Sequence, residues 1–229
     1  MKKLLLLHGA LGSKAQLEPL AEMLKNDFEV FTLNFTGHGG APFAEGFDIG
    51  QFTAEVLAFL DKNGCENVDI FGYSMGGYVA LNLARLHPQR VGKIITLATK
   101  FDWTPEGAER ETKMLDPDKI EAKVPAFAAQ LRERHAPNDW KLLLRKTADM
   151  MLELGQRPLL TSAVLSKITN PCLICLGDGD QMVSLDETTL AADALPNGQL
   201  LVLEQTPHPF EKVNIPAFTA ITASFLAVE

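Results

Sequence analysis

Residues Asp69-Ile70-Phe71-Gly72-Tyr73-Ser74-Met75-Gly76-Gly77-Tyr78-Val79-Ala80 pass from an apolar run through Gly-x-Ser-x-Gly into a helical pattern without a break. That succession dictates a strand, a sharp turn and a helix in immediate order. So tight a turn forces its central residue into strained backbone angles and crowds the chain on both sides. Gly72 and Gly76 leave the room, and the Ser74 hydroxyl then projects above a sheet edge. The Met75 N–H, in the first turn of the new helix, points at the space where an oxyanion would form, and the helix N-terminus adds a favourable dipole there. Ser74 is the candidate nucleophile.

The rest of the chain supplies a setting for such a turn. Continuous apolar runs at Leu4–Leu7, Glu29–Phe35, Val68–Phe71, Lys93–Ala98, Cys172–Leu176 and Gln199–Leu203 read as strands. Amphipathic segments at Lys14–Lys25, Asp48–Lys62, Met75–Leu86 and Pro216–Val228 read as helices, and Ser184-Leu185-Asp186-Glu187 opens another as a capping box. Strands alternating with helices indicate a parallel sheet with right-handed crossovers. The rhythm is interrupted once. Residues 102–168 hold no strand-like run, and their helical segments Pro105–Leu115, Ile120–Arg134, Trp140–Leu154 and Leu159–Lys167 are punctuated by prolines. This stretch carries equal numbers of acidic and basic residues, so the formal net charge of −8 belongs to its flanks. The expected organisation is a core of residues 1–101 and 169–229 with a helical insertion at 102–168.

Composition excludes several classes. The net charge of −8 argues against nucleic acid or an anionic membrane as the main partner. Leu4–Leu7 stops at His8-Gly9, too short for the core of a secretion signal, and no apolar run reaches membrane-spanning length. Three cysteines with no signal argue against a disulfide framework, and the expected location is the cytoplasm. Cys172-Leu173-Ile174-Cys175 lies inside an apolar strand, where residues three apart face opposite sides, so it reads as core and not as a redox or metal motif.

A serine hydroxyl needs a base to take its proton, and an imidazole needs a third group to fix its tautomer. Of the five histidines, His208 follows the last strand directly, on a loop at the carboxyl edge where Ser74 projects. The loop after the preceding strand, Gly177-Asp178-Gly179-Asp180-Gln181-Met182-Val183, offers two carboxylates, Asp178 and Asp180. It is not a calcium loop, because the acidic set stops after two residues and no glutamate closes it. A second oxyanion donor beside Met75 N–H would come from the loop after the first strand. The Ala10 amide is the natural choice there and Leu11 the alternative.

With these residues assembled, the chain resembles the α/β-hydrolase-fold family over essentially its whole length. His8-Gly9 resembles the family's oxyanion loop, and Gly37-His38-Gly39 its Gly-His-Gly loop. Gly72-Tyr73-Ser74-Met75-Gly76-Gly77 resembles its nucleophile elbow, and His208 with Glu211 its histidine segment. Gly177-x-x-Asp180-x-x-Val183 matches its acid motif, which selects Asp180 over Asp178. The resemblance implies an α/β architecture of three layers: six parallel strands in the order 2-1-3-4-5-6 with helices on both faces. It implies that the two N-terminal antiparallel strands of the full fold are missing, and that residues 102–168 form the helical cap. Asn34 and Thr36 replace the Asp and Arg usual before Gly-His-Gly, so an ion pair is lost there, and Pro207 replaces a common glycine and stiffens its loop.

The implied activity is hydrolysis of a small carboxylic ester or thioester through Ser74, Asp180 and His208, with Ala10 and Met75 as oxyanion donors and no metal or cofactor. An aspartate nucleophile, as in the dehalogenase and epoxide hydrolase branches, is excluded by Ser74. Two alternatives use the same fold: a lyase or carbon–carbon hydrolase resembling the menaquinone-pathway synthase, and a ligand receptor. The lyase branch usually places an arginine where this chain has Tyr78. The partner is a small molecule in either enzymatic reading.

Overall fold

The computed structural model describes residues 1–227; Val228, at the end of the expected last helix, and Glu229 lie outside the described residues. Six strands form one sheet in the order β2-β1-β3-β4-β5-β6. They are β1 (Lys2–Leu7), β2 (Phe28–Thr32), β3 (Val68–Tyr73), β4 (Val91–Leu97), β5 (Cys172–Gly177) and β6 (Gly198–Leu203). All neighbouring pairs are parallel.

Burial on both faces explains why the strand sequences are continuously apolar. In β1, Leu4 and Leu6 enter one core and Leu5 and Leu7 the other. The first core also takes Leu20 and Leu24 of α1 (Glu18–Leu24) and Phe218 and Leu226 of α10 (Ile215–Ala227). The second takes Phe52 and Val56 of α2 (Ile49–Lys62), Val79 and Leu83 of α3 (Met75–Leu86), and Ala191 and Ala192 of α9 (Leu185–Ala194). Cys172 and Cys175 divide between the two cores in the same way, and burial raises both thiols, Cys172 to about 12.

Between β4 and β5 lie α4 (Pro105–Thr112), α5 (Pro117–Lys123), α6 (Pro125–His135), α7 (Trp140–Gln156) and α8 (Ser162–Leu165). Ile120, Leu131, Trp140 and Leu144 build a small core of their own. Met150 and Leu154, further along α7, instead join the core on the sheet face. The segment 120–134, expected as one helix, is broken at Val124, whose φ of −135° and ψ of 58° lie outside the helical region. Pro125 disfavours helix in the residue before it, and it then opens α6. Similarly, β2 ends at Thr32 and not at Phe35, because its partner β1 runs out: Leu6 pairs with Thr32, and Leu7 is the last residue of β1.

Asp48 is the cap of α2 and not its first helical residue, and the expected capping box at Ser184 forms with one difference. Asp48 Oδ1 accepts the Gln51 N–H at 2.7 Å, and Ser184 Oγ accepts the Glu187 N–H at 3.2 Å. The Glu187 side chain does not return to the Ser184 amide. Its carboxylate accepts the Phe101 N–H at 3.4 Å and stands 3.7 Å from Lys100 Nζ. No helix among the described residues is long and apolar enough to cross a membrane.

Candidate active site

Ser74 joins β3 to α3 at φ 50° and ψ −116°. For a non-glycine residue this is a strained conformation. It is held by the Ser74 N–H donating to the Leu97 carbonyl at 2.8 Å and by the Thr99 hydroxyl donating to the Ser74 carbonyl at 2.9 Å. The elbow has no room for side chains at its glycines. A Cβ on Gly76 would collide with the Leu7 carbonyl of β1, and one on Gly72 with the backbone of Gly76 and Gly77. Among the described residues the non-glycine positions at positive φ are Leu11, Ser74, Ala98 and Gln205. Each follows the end of a strand, so backbone strain is concentrated along the carboxyl edge of the sheet.

The loop after β6 brings His208 to this edge. Its Nδ1 lies 2.7 Å from Asp180 Oδ2, on the loop after β5. That contact makes Nδ1–H the donor and leaves Nε2 as the basic nitrogen. Asp180 Oδ1 accepts the amides of Met182 at 2.8 Å and Val183 at 2.9 Å. Burial alone would raise the Asp180 carboxyl. The hydrogen bond and charge of His208, with the two amides, outweigh it, and the carboxyl sits below its ordinary range. Asp178 does not reach His208; its Oδ1 accepts the Thr206 N–H at 3.3 Å.

Ser74, Met75, Ala10 and His208 line one cavity of about 50 Å³. Ile49, Tyr78, Trp103, Met150, Met151, Leu154 and Met182 supply most of its apolar wall. Lys100 and Glu111 close it, with Nζ 3.8 Å from the Glu111 carboxylate. Leu11, the alternative donor, does not line the cavity. Its φ is 57° and its side chain packs against the core of the inserted helices.

Several residues make contacts here that no motif specifies. The Tyr73 hydroxyl donates to the His208 carbonyl at 2.9 Å. Tyr78, at the position where the lyase branch carries arginine, turns its hydroxyl to the Leu159 and Leu160 amides at 3.1 and 3.0 Å. It thereby ties α3 to the chain returning toward β5. In place of an ion pair before Gly37, the Asn34 side chain accepts the Lys14 N–H at 2.7 Å and donates to the Gly39 carbonyl at 2.9 Å. Tyr73, Tyr78 and Asn34 stand in or beside motifs, but position in the tertiary structure gives them their partners. Phe127 and Trp140 belong to the core of the inserted helices and not to the cavity.

Among the described residues no group of three or more His, Cys, Asp or Glu could hold a metal ion.

Fold and edge geometry define an α/β hydrolase scaffold, and the comparison with known proteins agrees. The sequence model of the alpha/beta hydrolase fold matches residues 2–118, half of the chain, and the chain belongs to that family. It is 29% identical over 245 aligned positions to a pimeloyl-[acyl-carrier protein] methyl ester esterase of Neisseria meningitidis serogroup C, covering 99% of this chain and 94% of that one. Among solved structures it resembles an enol-lactonase from Burkholderia xenovorans LB400, with a TM-score of 0.78, 20% identity and coverage of 99% and 92%. It also resembles MenH from S. aureus, with a TM-score of 0.79, 21% identity and coverage of 98% and 93%. At these identities the structural likeness is one of fold.

Proposed function

We propose that this protein hydrolyses a small carboxylic ester or thioester through an acyl-enzyme on Ser74. The observation that carries the reading is the Asp180–His208 contact of 2.7 Å, at a cavity that His208 shares with Ser74, Ala10 and Met75. His208 Nε2 takes the Ser74 hydroxyl proton as Oγ attacks the carbonyl carbon. Asp180 holds the imidazole in the tautomer that leaves Nε2 free and stabilises the imidazolium that forms. The oxyanion is received by the Ala10 and Met75 amides, at an edge where the N-terminus of α3 adds its dipole. His208 then protonates the departing alcohol or thiol. A water molecule, giving its proton to the same nitrogen, releases the acid and restores Ser74.

Residues 102–168 act in this reading as a cap, because Trp103, Met150 and Met151 come from them to the cavity wall. The narrow, thioether-rich wall favours a short acyl chain. The relatedness to a methyl ester esterase supports an ester over a carbon–carbon bond. Three free, buried cysteines fit a reducing compartment such as the cytoplasm.

The test is turnover of p-nitrophenyl esters from acetate to octanoate by the purified protein beside Ser74→Ala. Hydrolysis favouring short chains and lost in the variant supports the reading. A folded protein that turns over none of them overturns it.

A further inference from the structure

The loop carrying the Ala10 amide is gripped from the inserted helices, at one atom. The Leu11 carbonyl oxygen accepts from Arg134 Nη1 at 3.0 Å and from His135 Nε2 at 3.0 Å. Arg134 and His135 are the last two residues of α6. The direction of the second bond is set by the other ring nitrogen: His135 Nδ1 accepts the Gly39 N–H at 3.0 Å, so Nε2 must carry the proton. The Leu11 side chain is held from the same side, against the core that includes Leu131 and Trp140.

Leu11 needs holding. At φ 57° it occupies a left-handed conformation that a non-glycine residue does not keep without surrounding contacts. Ala10 and Leu11 are the two central residues of a turn closed by the Gly12 N–H donating to the Gly9 carbonyl at 3.1 Å. Fixing Leu11 therefore restrains the turn that presents the Ala10 N–H, and Ala10 lines the cavity beside Ser74. An oxyanion donor is effective when it is fixed before the charge develops.

We infer that Arg134 and His135 are positioning residues for the oxyanion site: by clamping the Leu11 carbonyl they hold the Ala10 amide in its catalytic orientation. The inference rests on the proposed role of Ala10. It has a mechanical consequence, because displacement of α6 from the core loosens the oxyanion site together with the cap. The cap and the catalytic edge then work as one unit.

Arg134 also stands 3.5 Å from Glu211, on the His208 side of the site, so the experiment must separate two routes. The hydrogen bonds of His135 go to Leu11 and Gly39 and not to Glu211, which allows this. His135→Asn keeps an acceptor for the Gly39 amide and removes the donor to Leu11; His135→Gln keeps the donor. The variants Arg134→Ala, His135→Asn and His135→Gln are compared with the wild type for p-nitrophenyl acetate turnover, per site titrated with a fluorophosphonate. Binding of a short alkylboronic acid is measured in parallel. There Ser74 Oγ adds to boron, its proton passes to His208, and the tetrahedral boronate presents an oxygen to the oxyanion donors.

Arg134→Ala and His135→Asn are each expected to lower kcat about five- to tenfold with KM unchanged. Boronate affinity should fall by the same factor, and His135→Gln should recover most of the loss. A loss in Arg134→Ala alone, with His135→Asn at full activity, assigns the effect to the Glu211 route and overturns the clamp. So does full kcat and boronate affinity in both variants, whatever their melting temperatures. A wild type without ester turnover removes the reading of Ala10 and this inference with it; an active wild type with unaffected variants removes the inference alone.

Discussion

Tyr73, the residue immediately before Ser74, donates its hydroxyl to the backbone carbonyl of His208 at 2.9 Å. The elbow therefore reaches across the carboxyl edge and holds the loop that carries the histidine. Burial raises the Tyr73 phenol far above its ordinary value, so it stays protonated and remains a donor across the working pH range. Tyr73→Phe removes the donor at about 1 kcal/mol of stability. We expect kcat to fall about fivefold with KM unchanged, read from steady-state kinetics on p-nitrophenyl acetate.

The two carboxylates of the β5 loop differ in what they touch. Asp180 bonds the His208 ring; Asp178 accepts a backbone amide. Asp180→Asn presents an amide where the ring nitrogen must donate and favours the wrong tautomer. An activity loss of about 10³- to 10⁴-fold is expected. Asp178→Asn should stay within about threefold of the wild type. Comparable losses in both variants would contradict the assignment.

Three buried imidazoles make stability depend on pH. His8 is held down to about 4 chiefly by burial, His135 to about 4 chiefly by burial, and His38 well below its ordinary value for the same reason. Because the folded values lie below those of the unfolded chain, the unfolded state takes up protons first as pH falls. Stability is therefore complete above about pH 6.5 and declines as pH falls toward 4. His8 alone accounts for about 2 kcal/mol lost by pH 5. Asp180, shifted downward, acts in the same sense but in a separate window, its contribution being lost as pH falls below about 4. Urea midpoints at pH 7.5 and 5 check this; equal midpoints would contradict it.

Met151 of α7 is half-buried and lines the cavity. Met151→Ala widens it with less cost to the core than its fully buried neighbour Met150 would incur. The hexanoate-to-acetate ratio of kcat/KM is expected to rise about tenfold.

The strands were legible because each is covered on both faces, and Leu4–Leu7 shows in miniature how one run feeds two cores. Their spatial order came from the family resemblance, since hydrophobic pattern carries no information about neighbours. The break at Val124 was legible in principle, because Pro125 follows it, but the surrounding helical periodicity hid it. At the site, Ser74, Asp180 and His208 stand at strand ends within motifs. Tyr73 stands within the elbow without its partner showing there, and Lys100, Arg134 and His135 lie in no motif. The partners of all four are far along the chain, at His208, Glu187 and Leu11, and only the fold brings them together.

The account stands on Ser74 as the nucleophile. The most direct measurement is labelling with a fluorophosphonate, followed by peptide mass spectrometry and residual ester turnover. One equivalent on the peptide containing Ser74, with turnover lost in proportion to labelling and no label on Ser74→Ala, is the expected result. Turnover that persists in the fully labelled protein, or a label on another residue, would contradict it.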